Sequence, residues 1–184
     1  MRENLRVKTF RNGDLITESK SVDDWVKFYN EKKPAWTSLM WEKNNEQKFG
    51  LIYNYYALID PRGITPKNWK IPTSSDFFEL IEFNGGGNQG ALKIMSNQFW
   101  QGTPGTNKSG FDARPGGEIW AGGTFVDINN ETVSYWTNSQ STNGNPITIS
   151  ISSTRDEKFK FSDETSLQLV IYNKAGFYIR GIIE

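Results

Sequence analysis

Residues 68–85 read NWKIPTSSDFFELIEFNG, and their spacing predicts a helix with defined ends. Phe77, Leu80 and Ile81 form an apolar stripe, while Glu79 and Glu82 face water. Thr73 or Ser74 follows Ile71-Pro72 and supplies a capping oxygen. Asp76 falls in the first turn, where the helix dipole favours a negative charge. Asn84-Gly85 ends it. A helix over 74–84 anchors the rest of the reading.

Upstream, Val22, Trp25, Val26 and Tyr29 fall at i, i+3, i+4 and i+7, which predicts a first helix over 21–30. Ser21 caps it, Asp23 and Asp24 occupy its first turn, and Asn30 and Pro34 close it. Before it, Leu5 and Val7 alternate loosely up to Arg11-Asn12-Gly13-Asp14, and Leu15-Ile16 follow. Asn-Gly between such segments predicts a hairpin within residues 1–20. Between the helices, Leu51, Tyr53 and Tyr55 alternate with Ile52, Asn54 and Tyr56, as in a strand. Pro61-Arg62-Gly63 then turns the chain.

Downstream the texture changes. Residues 85–146 are rich in Gly, Asn, Ser and Thr, yet carry Trp100, Phe111, Trp120, Phe125, Tyr135 and Trp136. A disordered segment lacks such aromatics. An ordered, loop-rich half follows, with strands at Ile147–Ser152, Leu167–Tyr172 and Gly176–Ile183. The last two are joined by a hairpin at Asn173-Lys174-Ala175-Gly176. There is no internal repeat and no linker, so residues 1–184 read as one α+β domain.

Composition narrows the chemistry. The chain has 184 residues, 36% hydrophobic and 14% aromatic, with no cysteine and no histidine. At this size a chain buries roughly 70% of its unfolded surface without staples. Missing cysteines remove disulfides, thiolate metal sites and cysteine nucleophiles; missing histidines remove imidazole metal sites and serine–histidine triads. The 21 basic and 21 acidic residues cancel. No concentrated positive stripe offers a grip on nucleic acid. No apolar run approaches the ~20 residues of a membrane span. The start, MRENLRVKTF, is not a basic-then-apolar leader, which reads as a mature fragment or a chain translated without an export signal.

Six segments together carry a family resemblance: Asn4-Leu5-Arg6, Gly50 to Ala57 (GLIYNYYA), Asn68 to Thr73 (NWKIPT), Gly110 to Gly117 (GFDARPGG), Tyr135 to Ser139 (YWTNS) and Lys174 to Arg180 (KAGFYIR). In this order and spacing the chain resembles the Fibrobacter succinogenes major paralogous domain, common in Bacteroidetes surface proteins. The resemblance covers nearly the whole chain. It implies a C-type-lectin-like fold, related to the formylglycine-generating enzyme and to variable binding proteins of phage and bacteria. That fold has two helices, a small twisted antiparallel sheet closed by both termini, and a long loop-rich half carrying the ligand surface. It also implies an extracellular or cell-surface location. Departures are Gly181, where the family has cysteine, Tyr135 for the first of two tryptophans, and Thr137-Asn138 for Ser-Ser. The changes at 135 and 137–138 fall where the fold presents its ligand surface, so the family's specificity does not carry over.

Candidate chemistry is sparse. Gly85, Gly87 and Gly90 satisfy G-x-G-x-x-G, but a dinucleotide site needs that motif after a strand and opening a helix; here it reads as a helix stop and a loop. Asp127-Ile128-Asn129-Asn130-Glu131 gathers oxygen ligands without the spacing of a calcium loop, and reads as an Asx-rich turn. Asp156-Glu157 and Asp163-Glu164, beside Lys158 and Lys160, read as solvated hairpin edges. Glu118, Asp127, Glu131 and Asp112 lie in the loop half, where a pair of carboxylates could serve a glycosidase. The oxidase chemistry of the formylglycine-generating relatives needs cysteine and is excluded. No catalytic residue, cofactor or metal is assigned.

The aromatics divide. Trp69 and Trp136 sit in framework segments and read as core. Trp100 and Trp120 sit among small and polar loop residues; each either pins its loop by burial or offers a ring to a sugar or a protein. Asn138, Ser139, Gln140, Asn143 and Asn145 form an amide-rich stretch that reads either as solvent-exposed turn residues or as groups that donate and accept toward sugar hydroxyls or a peptide backbone. The expectation is a non-catalytic recognition domain that binds a glycan or protein surface through Trp100, Trp120, Asn138, Ser139 and Asn143. The alternative is a structural subunit of a fibre, pilus tip or phage-tail-like assembly, whose partners are sibling subunits.

Overall fold

The computed structural model describes residues 1–161 and 174–184. The predicted strand Leu167–Tyr172, the first residue of the predicted turn Asn173–Gly176 and the Asp163-Glu164 pair lie outside the described residues. In chain order the elements are β1 (Thr17–Glu18), α1 (Val22–Asn30), β2 (Ala35–Thr37), α2 (Lys43–Phe49), β3 (Ile52–Asn54), α3 (Tyr55–Leu58), β4 (Trp69–Lys70), α4 (Ser74–Phe83) and α5 (Gly87–Ile94). The second half adds β5 (Glu118–Ile119), β6 (Phe125–Val126), β7 (Thr132–Gln140), β8 (Pro146–Ser152), β9 (Phe159–Phe161), β10 (Gly176–Tyr178) and β11 (Ile182–Ile183). The class is α+β.

Among the described residues the main sheet runs β1-β2-β3-β10-β7-β8-β9, with β5 and β6 branching from β10. β10 is its centre. One edge of β10 pairs antiparallel with β3; the other takes β5 antiparallel at Gly176 and β7 parallel at Tyr178. The β1–β2 pair is also parallel, so the sheet is mixed. Strand alternation sorts side chains onto two faces. Ile52, Tyr135 and Tyr178 point into a core shared with Trp25, Phe77, Ile81 and Ile94. Their neighbours Tyr53, Trp136 and Phe177 point into a second core with Leu5, Phe10 and Trp36. Helices α4 and α5 supply residues to the first face, and the N-terminal segment covers the second. The Leu5 amide donates to the Ile179 carbonyl at 2.8 Å, and the Leu51 amide to the Leu5 carbonyl at 3.1 Å. β11 pairs with β4, which joins the C-terminal segment to the approach to α4.

α4 follows the sequence closely. Thr73 Oγ1 accepts from the Asp76 amide at 3.1 Å and the Asp76 carboxylate accepts from the Thr73 amide at 2.7 Å, a complete capping box. α1 has the expected cap, with Ser21 Oγ accepting from the Asp24 amide, but its buried face is Trp25 and Phe28, with Val22 exposed. The Trp25 ring sets that rotation. It packs over Gly176, where a Cβ atom would lie 2.5 Å from the ring.

Other expectations are corrected. The resemblance implied two helices, and five α-helices occur among the described residues. α2 reads KNNEQKF and buries only Phe49, so no stripe announces it. The predicted strand over Leu51–Tyr56 stops at Asn54, whose side chain caps the one-turn helix α3. Gly176–Ile183 divides into β10 and β11. The glycine-rich stretch after Gly85 is not a loop: it opens α5, and Gly90 lies so close to α4 that a Cβ would sit 2.3 Å from the Ile81 carbonyl oxygen. Glycine is there for helix–helix approach. The N-terminal hairpin shrinks to one bridge, Thr9 to Leu15, around the turn at Gly13.

Candidate functional site

Trp100 is corrected first. Its side chain is only 9% exposed, and Nε1 donates to the Ala113 carbonyl at 3.1 Å. It pins the loop and offers no ring face to a ligand. Trp120 is 39% exposed, at the turn between β5 and β6, where its amide donates to the Thr124 carbonyl at 2.9 Å. Its Nε1 donates to Glu118 Oε1 at 2.6 Å. Glu118 is buried, and loss of solvent pushes its carboxyl above the usual carboxylate range despite hydrogen bonds from Ser134 and Trp120. Asp127 adds to that rise, and Arg155, 3.8 Å from Asp127, opposes it.

The amide residues lie elsewhere. β7 and β8 pair regularly from Thr132↔Ser152 to Trp136↔Thr148, and pairing resumes at Gln140↔Pro146. Four steps on β7 are therefore set against two on β8, a bulge that carries Thr137, Asn138 and Ser139. The bulge leans on the start of α4. The Asn138 amide donates to the Pro72 carbonyl at 2.7 Å, and Ser139 Oγ accepts from the Ser74 amide at 3.0 Å. Side chains of Asn138 and Gln140 are exposed, and Asn143 is exposed at the β7–β8 turn.

Register shows how far apart these groups are. Gly117 bridges Val133, and the Glu118 carboxyl meets Ser134 while accepting from Trp120 Nε1, so Trp120 lies by the Thr132–Ser134 end of β7. From Thr132 to Asn138 is six residues, about 20 Å of strand. The structure does not bring Trp120 together with Asn138, Ser139 and Asn143.

It gathers other residues at the bulged end. Tyr55 and Tyr56 form the first turn of α3, and both are half-buried. Asn54 Oδ1 fixes that turn by accepting from the Ala57 amide and the Ala35 amide, both at 3.0 Å. Gln140 Nε2 donates to the Tyr55 hydroxyl at 3.3 Å, and the Tyr55 ring lies 5.8 Å from that of Trp136. Tyr56 meets Tyr29 of α1 at 5.9 Å, and Lys174 Nζ stands 5.4 Å from the Tyr29 ring. Burial and the contact with Tyr29 raise the Tyr56 hydroxyl above its ordinary value. The result is a row of half-buried tyrosine rings edged by amides. Adjacent tyrosines inside an alternating run look like strand; only Asn54, a capping residue three before Ala57, hinted at a helical turn.

The acids divide: Glu118 and Asp127 are near enough to interact, while Asp112 is engaged by its own partners. Asp112 holds Arg114 at 2.7 Å and accepts from Asn107 at 3.1 Å. Asp127–Glu131 is a turn in which Asp127 and Asn130 take left-handed backbone angles. Among the described residues, no three acidic side chains are grouped to share a metal ion. None of the described helices is long and apolar enough to cross a membrane.

Beneath the surface, the recurrent sequence segments converge on Arg180. Its buried guanidinium donates to Asn4 Oδ1 at 2.8 and 3.1 Å, and to the carbonyls of Phe111 at 2.6 Å and Met1 at 3.2 Å. It lies 4.2 Å over the Phe111 ring. Asn4 Nδ2 continues to the Phe49 carbonyl at 2.7 Å. Desolvation pulls the Arg180 pKa below its ordinary value, and the carbonyl oxygens oppose the cost of burying the charge.

The model of the Fibrobacter succinogenes major domain family matches residues 1–182. The chain belongs to that family. No curated protein and no solved structure matches it. Within this Fibrobacter succinogenes major domain, four of the six segments meet in one place: Asn4, Phe111, Tyr135 and Arg180 all belong to the cation's surroundings.

Proposed function

We propose that this domain is a non-catalytic recognition module of C-type-lectin-like architecture that binds glycans outside the cell through the tyrosine–amide patch at the bulged end of β7. The observation that carries the reading is Tyr55 and Tyr56, side by side and half-buried, with the Gln140 amide on the Tyr55 hydroxyl. A sugar presents a C–H face and a rim of hydroxyls. The ring face suits the first, and amides that both donate and accept suit the second. The exposed Asn138 and Asn143 side chains extend the polar edge. The buried Trp136 and the Asn54 cap hold the tyrosines in place, which lowers the entropy lost on binding.

A glycan array probed with the folded domain tests this. Binding should be found for a defined set of sugars and should fall at least about tenfold in Tyr55→Ala and Tyr56→Ala, with Trp120→Ala unchanged. Labelling of intact cells with an antibody to the domain should report it at the surface. If no glycan binds, and capture from its own cells returns sibling structural proteins, the patch is an assembly interface and the glycan reading fails.

A further inference from the structure

A second surface is built differently. Along α4 runs an open groove of about 600 Å³. Its floor is apolar: Phe77, Leu80, Phe111, Ile182 and the side chain of Met1. Phe83, 91% exposed, stands at its lip. The polar groups of its lining are mainly carboxylates. Asp76 is occupied in the α4 capping box, whereas Glu79 and Glu82 are exposed and form no ion pair among the described residues. No lysine or arginine lines the groove, and the Met1 ammonium is engaged with the Gly181 carbonyl at 2.7 Å. An apolar channel with a large exposed ring is the signature of an interaction site.

We infer that this groove docks a segment of another protein that carries bulky apolar side chains flanked by lysines or arginines. The apolar side chains fill the floor beside Phe83, and the cations meet Glu79 and Glu82. Charge decides among occupants. An anionic lipid surface is repelled by the same carboxylates. A second copy in a two-fold contact would set this acidic patch against itself. The glycan patch is separate, because none of Tyr29, Tyr55, Tyr56 or Gln140 lines the groove.

The test uses the whole chain and two synthetic peptides: one repeating Leu-Lys-Lys-Leu-Leu-Lys-Leu, the other with each lysine replaced by glutamate. Titration should show the lysine peptide binding at least about tenfold more tightly than the glutamate peptide, more weakly as salt rises. The double variant Glu79→Lys/Glu82→Lys should reverse that preference, and Phe83→Asp should lose binding of both. All three positions are exposed on α4, and circular dichroism checks that the variants fold. Equal binding of the two peptides, or lysine-peptide binding unchanged by the charge reversal, overturns the proposal. So does a concentration-dependent dimer abolished by Phe83→Asp, which would make a second copy the occupant.

Discussion

The two ends of β7 contrast. From Thr132 to Trp136 the strand is buried and in register with β8, and Tyr135 and Trp136 divide between the two cores. From Thr137 to Gln140 the register slips, and Asn138 and Gln140 emerge into solvent, Gln140 beside Tyr55. Tyr135 contacts the Arg180 hub, while Thr137-Asn138, two of the positions departing from the family pattern, lie in the bulge. A bulge lets one strand serve both tasks. Its regular part is held by packing on two faces, and its irregular part is held by a few hydrogen bonds to Pro72 and Ser74 at the start of α4, with the Asn138 side chain left exposed.

The largest effect should come from breaking the buried end. In Asn4→Leu the Arg180 guanidinium loses its side-chain acceptor while still buried, and the Phe49 carbonyl loses its donor. Removing a partner from a buried charge costs about 3–5 kcal/mol. Urea unfolding should show that loss, and a change under about 1 kcal/mol would mean that the carbonyls of Met1, Phe111 and Asp112 suffice.

Next in size, Trp100→Ala should cost about 3–5 kcal/mol as a core truncation, at the lower end because its loop can collapse. Glycan binding at the distant tyrosine patch should be unchanged in the folded fraction. A variant of unaltered stability that lost binding would return Trp100 to the ligand surface.

A smaller effect, with a sign set by pH, attaches to Glu118. Its carboxyl is raised by burial in the folded chain and ordinary in the unfolded one, so between those values the native state holds more protons. Stability from this group is highest below the unfolded pKa and is lost as pH rises through the folded one. Glu118→Gln keeps an oxygen for Trp120 Nε1 and removes the charge. Its melting temperature should exceed that of the wild type at neutral pH, and the gap should close as pH falls through the carboxylate range. A gap independent of pH would mean that Glu118 is not titrating in the folded chain.

Local chemistry made α4 legible: a capping Thr73 or Ser74, a first-turn Asp76, an apolar stripe and an Asn-Gly stop follow one another closely. β8 was legible for a similar reason, as the alternation Ile-Thr-Ile-Ser-Ile-Ser at 147–152. What stayed hidden depends on distant partners. α2 has no stripe, α3 is one turn set by Asn54, and Gly90 reads as a helix breaker until Ile81 is placed against it. Trp100 and Trp120 have similar local sequence and opposite burial, because only Trp100 finds the Ala113 carbonyl inside the first core. Of the residues expected at the site, Asn138, Ser139 and Asn143 do share one end of β7. The tyrosines beside them escaped the sequence because a strand-like alternation concealed a helical turn.

The smallest expected effect is the most informative about the bulge. Ser139 Oγ accepts from the Ser74 amide at the first turn of α4, and its own amide donates to Thr137 Oγ1 at 3.2 Å. In Ser139→Ala the hydroxyl's contacts with the Ser74 amide and the Ser74 hydroxyl are lost, but Thr73 still caps the helix, so the cost should be about 0.5–1 kcal/mol. Asn143→Ala, at an exposed turn, should change stability by less than about 0.5 kcal/mol. If the bulge merely tolerates its irregular register, both variants should bind glycan like the wild type. If Ser139 holds Asn138 and Gln140 in place for a ligand, Ser139→Ala should weaken binding by more than its stability cost predicts. Amide hydrogen exchange at Asn138 and Gln140 should then quicken while Tyr135 stays protected, separating the two ends of the strand by their dynamics.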